Sequence, residues 1–222
     1  YLDRLGPDAP ARLVVAPGID FEYSALKGYS EQAAAVMPHA WKAGPQTELL
    51  RRQLEQMPNG GVVIITVPPA PFRCPPGPYE RASLIAYYLK RGKPKSKVLI
   101  LDANDSFAAQ AGFMEAWQTL YPNMIEWVPG TTGGRVTQVD AKSQTVYTGA
   151  GRHRGSVVNV IPPQKAGDLA GKAGLTDATG WCPVDPGSFE SIRQKGIHVI
   201  GDSSIAGKLP KSAAAANAEA KV

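Results

Sequence analysis

The sequence has few of the features that mark several common classes of protein. None of its stretches approaches the roughly 18 consecutive apolar residues that a membrane-spanning helix requires, so no membrane span is predicted. Its three histidines share no ligand spacing, and we therefore predict no metal site. Motifs for a serine nucleophile, a phosphate-binding loop or paired catalytic carboxylates are also absent, which argues against hydrolases and kinases.

Charge is limited as well. The net charge of +5 is mild for a chain of 23.6 kDa, and only residues 90–97 form a dense basic run. Gly92 and Pro94 interrupt that run and no aromatic residues interleave it, so we predict a solvated turn there and no binding of nucleic acid. Because 43% of the residues are apolar, the chain can bury a core, and a globular protein is predicted.

Cysteine occurs twice in the whole chain, as Cys74 and Cys182. Their separation matches neither a zinc knuckle nor a thioredoxin-type motif. If they pair, closing a loop of about a hundred residues would stabilise the fold by roughly 4–5 kcal/mol in the chain-entropy model, and the bond would favour an oxidising compartment. From placement alone, an inert structural cysteine, a simple staple and a redox pair all stay open.

The hydrophobic pattern predicts an α/β fold with a Rossmann-like inserted domain. Apolar runs predict strands at residues 12–15, 61–67, 97–101, 124–128, 156–161 and 197–200. Helical periodicity is found at residues 29–41, 45–57, 79–91, 107–121 and 212–222. A hairpin pattern around Asp140 adds a small antiparallel meander to the parallel sheet. We expect residues 61–164 to form this inserted domain and residues 1–60 and 165–222 to form an outer domain.

The loop after the first strand of the inserted domain lacks the G-x-G-x-x-G pattern of dinucleotide-binding domains. It is rich in proline, and proline has no N–H group to offer a pyrophosphate, so a nicotinamide nucleotide is not predicted to bind. Cys74 lies in this loop, just before a predicted helix and next to Arg73. The helix dipole and this cation would both favour a thiolate, which suits redox chemistry.

Three further segments carry candidate site residues. The first predicted strand ends in Ala16, Pro17 and Gly18, a loop that lets backbone approach a ligand closely. A later strand ends in Gly201 and Asp202, an ordinary turn signal that in flavoproteins also serves to bind a ribityl hydroxyl. Cys182 lies in a rigid turn beside an aromatic residue, which fits packing equally well. The two cysteine loops, one in each domain, could meet at a domain interface, where a flat cofactor would also bind.

Several of these strings resemble one family, the flavoprotein subunit of flavocytochrome c sulfide dehydrogenase. This family is related to sulfide:quinone oxidoreductases in the pyridine-nucleotide-disulfide oxidoreductase superfamily. The most specific strings are FRCPPGPYER at residues 72–81 and WCPVD at residues 181–185. The others lie at residues 13–21, 160–166, 201–204 and 210–212. The family's N-terminal ADP-binding glycine loop, the cysteine that attaches FAD covalently in some members and its C-terminal domain are not among them. We therefore expect an internal piece of a longer protein, within an incomplete FAD-binding domain.

The resemblance implies a function and a set of site residues. Cys74 and Cys182 would form a redox-active disulfide that hydrosulfide attacks, with electrons passing through FAD to a haem-bearing cytochrome c subunit in the periplasm. Which cysteine faces the flavin stays open. The residues expected to contact FAD are Ala16, Pro17, Gly18, Gly201, Asp202 and Lys211.

Three alternatives accompany this interpretation. A sulfide:quinone oxidoreductase would use an amphipathic C-terminal region, which this sequence does not contain. In a non-catalytic fragment, the two cysteines would form only a structural disulfide. A nicotinamide-dependent reductase is disfavoured by the proline-rich loop.

Overall fold

The computed structural model describes residues 12–222, and it divides them into two compact units. The larger unit is Phe21–Pro163, and the smaller contains the described residues up to Asp20 together with Gln164–Val222. The larger unit begins well before residue 61, where we expected the inserted domain to begin. Its early residues join it because Trp41 and Leu50 pack in the same core as the parallel sheet. The assignment of the segments to an FAD-binding and a nucleotide-type domain stays a prediction.

The chain forms thirteen strands and six α-helices in the described residues. The strands are β1 (Leu13–Val15), β2 (Ile19–Phe21), β3 (Val62–Val67), β4 (Lys97–Asp102), β5 (Ile125–Val128), β6 (Val136–Asp140), β7 (Thr145–Thr148), β8 (Gly151–Arg154), β9 (Val157–Val160), β10 (Gln164–Ala166), β11 (Cys182–Pro183), β12 (Ile197–Val199) and β13 (Ser204–Ile205). The helices are α1 (Glu31–Ala34), α2 (Pro45–Gln56), α3 (Gly77–Gly92), α4 (Gln110–Leu120), α5 (Asp168–Lys172) and α6 (Ala213–Glu219).

A parallel sheet in the order β5-β4-β3-β9 forms the centre of the larger unit. Strand β3 is buried on both faces: Val63 and Ile65 contribute to one hydrophobic cluster, and Ile64 contributes to the other. The sequence Val62–Val67 is therefore a continuous β-branched run, as expected for a central strand of a parallel sheet. The predicted α/β class with a parallel sheet is confirmed.

Helices α2, α3 and α4 contribute to the core on one face of this sheet. Helix α3 has Pro78 in its first turn and Lys90 and Arg91 in its last, which suits the free N–H groups at its start and the dipole at its end. The helix predicted at residues 29–41 is much shorter than expected, since α1 ends at Ala34. Pro38 offers no N–H to continue it, and Ala40 adopts a positive φ of 47°.

The antiparallel meander packs on the other face of the sheet. Strands β6, β7 and β8 follow one another in space, and Val139 and Val146 join the cluster that contains Ile64. The predicted meander is thus confirmed, with a third strand, β8, that its polar sequence GRHR did not reveal.

The smaller unit is built from short strand pairs. Strand β1 pairs in parallel with β12, β11 pairs in parallel with β13, and β2 pairs with β10. Cys182 therefore lies in a strand and not in the turn that its sequence suggested, because a partner strand from Ser204–Ile205 fixes its backbone. Among the described residues, no helix combines the length and the apolar character needed to cross a membrane.

Candidate redox and cofactor sites

Cys74 lies immediately before a helix, as its sequence indicated. Its backbone adopts a left-handed conformation with a φ of 57°, and its carbonyl accepts a hydrogen bond of 2.8 Å from the N–H of Gly77, the first residue of α3. The side chain is half-buried. This turn therefore places the sulfur against the first turn of the helix.

Gly77 allows that close approach because it has no side chain. A Cβ atom built on Gly77 would lie 3.1 Å from the sulfur of Cys74 and 2.7 Å from Cη2 of Trp41. Both distances are shorter than ordinary van der Waals contact. Glycine at this position thus lets the thiol and the indole ring meet over the helix start.

A cavity of about 330 Å³ opens beside Cys74. Gly77, Arg81 and Leu84 follow each other at intervals of four and three residues, so they share one face of α3 and line this cavity together. Trp41 and Arg73 also line this cavity. The cavity thus combines a thiol, an aromatic ring, two guanidinium groups and the carboxylate of Glu80.

Arg81 is the most firmly held cation at this cavity. Its guanidinium donates to the carbonyls of His39 at 3.1 Å and Ala40 at 2.5 Å and to Oδ1 of Asn159 at 2.8 Å. It also lies over the ring of Trp41, with its central carbon 4.9 Å from the ring centroid. Burial lowers the pKa of Arg81 to about 10, while the nearby Cys74 raises it. The group is therefore cationic at neutral pH and interacts with the thiol.

The positive potential at this site extends to the neighbouring segment. Arg73, the adjacent cation identified in the sequence, donates to the carbonyl of Trp41. Burial lowers the pKa of His39 to about 4, and Lys42, Arg81 and Arg73 act in the same direction. Because these cations surround an uncharged imidazole, a sulfur anion in this region would be favoured.

Sequence reasoning missed Trp41 and Arg81 as neighbours of Cys74. Trp41 is distant along the chain, and only the fold brings it to the helix start. Arg81 could have been found, because it lies four residues after Gly77 and the helix was predicted.

Cys182 has a different environment from Cys74. It is completely buried, in strand β11, where it pairs with Ser204 of β13. Burial raises the pKa of the Cys182 thiol to about 11, although nearby Lys211 lowers it. An isolated Cys182 is therefore a protonated thiol at neutral pH.

Lys211 is buried next to this cysteine. Its ammonium group donates to the carbonyls of Asp202 at 2.7 Å and Ser204 at 2.8 Å, and it lies 3.7 Å from the ring centroid of Trp181. Burial lowers the pKa of Lys211 to about 8. The side chain holds the loop that carries Asp202, and its predicted direct contact with FAD stays a prediction.

The remaining predicted cofactor residues meet at one edge of the smaller unit. Strands β1 and β12 are parallel with Val15 opposite Val199, so the loops that follow them, residues 16–18 and 200–202, leave from the same edge. The hydroxyl of Ser203 donates to the carbonyl of Gly18 at 2.5 Å and joins the two loops. Ala16, Pro17, Gly18, Gly201 and Asp202 are therefore brought together.

No described atom obstructs this edge at Gly18. Gly18 has a φ of 68°, and a Cβ atom built on it would meet no described atom within 4 Å. The backbone thus faces a clear space at the carboxyl ends of two parallel strands, the position where α/β proteins bind nucleotide cofactors. These residues fit a flat dinucleotide such as FAD.

The corresponding edge of the larger unit combines a cavity of about 450 Å³, lined in part by Val67, Pro68 and Ala103, with a carboxylate that is held by protein groups. Asp102, at the end of β4, is completely buried and accepts hydrogen bonds from the hydroxyl of Tyr79 at 2.5 Å and from Nε1 of Trp127 at 2.9 Å. Asn104 donates to it through its backbone at 2.9 Å and its side chain at 2.8 Å. Burial and the bond to Asp102 raise the pKa of Tyr79. This carboxylate is thus saturated by internal donors.

The two cysteines belong to different units, Cys74 to the larger and Cys182 to the smaller, and both carry thiols in this structure. Their pairing in a disulfide, which the resemblance implied, stays a prediction. Among residues 12–222 there is no cluster of three or more His, Cys, Asp or Glu side chains suited to a metal ion.

Comparisons with known proteins find a distant curated relative. The chain is 24% identical over 229 residues to the mitochondrial sulfide:quinone oxidoreductase of Dictyostelium discoideum, covering 95% of this chain and 47% of that protein. It therefore spans about half the length of this curated relative.

Solved structures share the fold. An NAD-dependent persulfide reductase from A. fulgidus superposes with a TM-score of 0.63 and 18% identity, covering 94% of this chain and 37% of that one. Thioredoxin reductase of T. acidophilum superposes with a TM-score of 0.59 and 14% identity, covering 94% of this chain and 62% of that one. At these identities the likeness shows the fold of FAD- and NAD-binding oxidoreductases.

A family model matches residues 47–162, just over half of the chain and including Cys74. Its description is the central part of the flavoprotein chain of sulfide dehydrogenase (flavocytochrome c). The chain therefore belongs to this family, within the FAD-dependent pyridine-nucleotide-disulfide oxidoreductase superfamily.

Proposed function

We propose that the protein to which this chain belongs oxidises hydrosulfide through a redox disulfide between Cys74 and Cys182 and a bound FAD. The observation that carries this proposal is the family match over residues 47–162, which includes Cys74 with its cavity and cations. The relative in Dictyostelium bears the name of a sulfide oxidoreductase, which supports the same substrate.

The cofactor residues of this proposal are those at the open edge of the smaller unit. Gly18 and Gly201 would let the backbone approach FAD closely, and Asp202 would accept a hydrogen bond from its ribityl chain. Lys211 would hold the loop of Asp202 in place through its two carbonyl contacts. When bound, FAD supplies an acceptor for two electrons that can release them singly.

The chemistry of the chain's own residues is thiol–disulfide exchange. Hydrosulfide attacks one sulfur of the disulfide, the S–S bond breaks, and the products are a persulfide on one cysteine and a thiolate on the other. The cations around Cys74 favour negative charge on sulfur there, both on an approaching hydrosulfide ion and on a cysteine thiolate.

A haem-bearing cytochrome c subunit is the proposed electron acceptor, and the periplasm is the proposed location. The description of the family supports the cytochrome subunit, and the location is proposed because a stable disulfide favours an oxidising compartment. A sulfide:quinone oxidoreductase is the second candidate, because the curated relative has that name. Reduction of cytochrome c by the complete protein, with no reduction of a soluble quinone, would decide for the first.

Replacement of Cys74 tests the proposal directly. We expect Cys74→Ser in the complete protein to abolish sulfide oxidation while the flavin stays bound, because the mutation removes a reacting sulfur and leaves the cofactor edge intact. Sulfide-dependent bleaching of the flavin absorbance measures this. Unchanged turnover in the variant would reject the mechanism, and a complete parent protein without flavin absorbance would favour a non-catalytic role.

A further inference from the structure

The cavity beside Cys74 contains a buried hydrogen-bond donor without an acceptor. Trp41 is only 7% exposed, and its Nε1 has no hydrogen-bond partner within the described part of the chain. Leaving a buried donor unsatisfied costs about 1–3 kcal/mol, so such a group calls for an explanation. Two other indoles that pack in the same core do have partners: Trp117 donates to Ser83, and Trp127 donates to Asp102.

The six-membered ring of this indole lies against the helix start, where the cysteine sulfur also lies. Cη2 and Cζ2 of Trp41 lie 2.7 Å and 3.4 Å from the position of a Cβ atom on Gly77, and the Cys74 sulfur lies 3.1 Å from the same position. In an indole, Nε1 is two bonds from Cζ2. The sulfur and the Cη2–Cζ2 edge of the ring therefore both lie next to Gly77, and the donor is two bonds from that edge.

Arg81 supplies the charge at this place. Its three acceptors, the carbonyls of His39 and Ala40 and the amide oxygen of Asn159, are all uncharged. No carboxylate of residues 12–222 forms an ion pair with it. The guanidinium is thus rigidly held with its positive charge not neutralised by a direct acidic partner, at one side of the Trp41 ring.

We propose that Arg81 and the indole N–H of Trp41 form an anion site that holds the thiolate of Cys74, with Arg81 as a positioning residue. The inference rests on the proposed function, in which Cys74 alternates between disulfide and thiolate. The charged and titratable groups at this site are Arg73, Glu80 and Arg81 at the cavity, with His39 and Lys42 from the segment packed against it. Of these, Glu80 is the sole acid, and it is exposed, so cations dominate.

The test measures the thiol pKa of Cys74 in the complete protein with Cys182→Ser. The rate of alkylation by iodoacetamide at Cys74 is followed against pH by peptide mass spectrometry. We expect Arg81→Met to raise this pKa by about 1 or more, which slows alkylation about tenfold at a pH below the pKa. Trp41→Phe, which keeps a ring and removes the N–H, should slow it about threefold.

Two controls separate charge from structure. Arg91→Met removes the same charge from the far end of the same helix, about 20 Å from Gly77 at 1.5 Å per residue. This variant should leave the rate unchanged. Arg81→Lys keeps the charge and should retain most of the parent rate. Folded Arg81→Met protein with the parent pKa would overturn the proposal. Should that variant not fold, an unchanged pKa in Trp41→Phe would overturn it instead.

The result is distinguishable from a failure of the proposed function. Sulfide turnover that persists in Cys74→Ser rejects the redox role and leaves the alkylation result standing. An unaltered thiol pKa in the Arg81 variant rejects only the anion site.

Discussion

Two of the parallel sheets in this chain, the four-stranded sheet of the larger unit and the β1–β12 pair of the smaller, differ at their carboxyl edges. In the larger unit, the loop after β3 is rich in proline. Asp102, the last residue of β4, is buried and accepts four hydrogen bonds from protein groups. In the smaller unit, Gly18 after β1 faces clear space, next to the loop that carries Gly201 and Asp202. The first edge thus holds its carboxylate in internal hydrogen bonds although a cavity of about 450 Å³ opens there, and the second has an unobstructed glycine.

The difference shows that parallel strand pairing does not by itself make a nucleotide-binding site. The carboxyl edge of a parallel sheet is a general place for nucleotide binding, but binding requires unoccupied N–H groups and space. Proline removes the first, and the internal hydrogen bonds of Asp102 occupy the carboxylate that a ribose would need, although a cavity of about 450 Å³ is present. We therefore propose the edge with Gly18 as the cofactor site.

The largest effect is expected from Asp102→Ala. The substitution removes the acceptor of the hydroxyl of Tyr79, the indole N–H of Trp127 and the backbone N–H of Asn104. We expect a loss of at least about 3 kcal/mol in the free energy of unfolding, measured in urea. Asp105→Ala, which removes an exposed acceptor from the N–H of Thr131, should cost much less. Equal losses would show that the hydrogen bonds of Asp102 do not stabilise this edge.

A smaller and more specific effect is expected from Gly18→Ala. Both Gly18 and Gly207 have a positive φ and open space, so an alanine at either position should cost a similar strain of about 1 kcal/mol. Only the methyl group at Gly18 would enter the proposed cofactor space. We expect about a tenfold loss of FAD affinity in Gly18→Ala and none in Gly207→Ala, measured by flavin titration of the complete apoprotein. Equal flavin binding by the two variants would remove Gly18 from the cofactor site.

Much of the fold was predictable because its patterns are local. The β-branched run of β3 and the apolar stripe of α3 indicated a parallel strand and a helix directly. The strand at Cys182 was missed because it consists of two residues that are ordered only by pairing with Ser204–Ile205. The helix expected at residues 29–41 stops early because of Pro38, a breaker that the periodicity did not take into account.

The candidate site was predictable in part. Gly18, Gly201 and Asp202 could be singled out because glycine after an apolar strand is a visible signal, and parallel pairing brings them together; their contact with FAD stays a prediction. The surroundings of Cys74 were not found, since Trp41 reaches it through tertiary packing from another segment. The environment of Cys182 also depends on burial, which no local pattern of that string indicates.

The central claim is that Cys74 and Cys182 form one redox couple, and a peptide map of the complete, oxidised protein tests it most directly. After digestion without reductant, mass spectrometry should detect a linked peptide that contains both cysteines, and hydrosulfide added without oxygen should remove it. Flavin-loaded, active protein in which both cysteines are alkylated before any reductant is added would contradict the account.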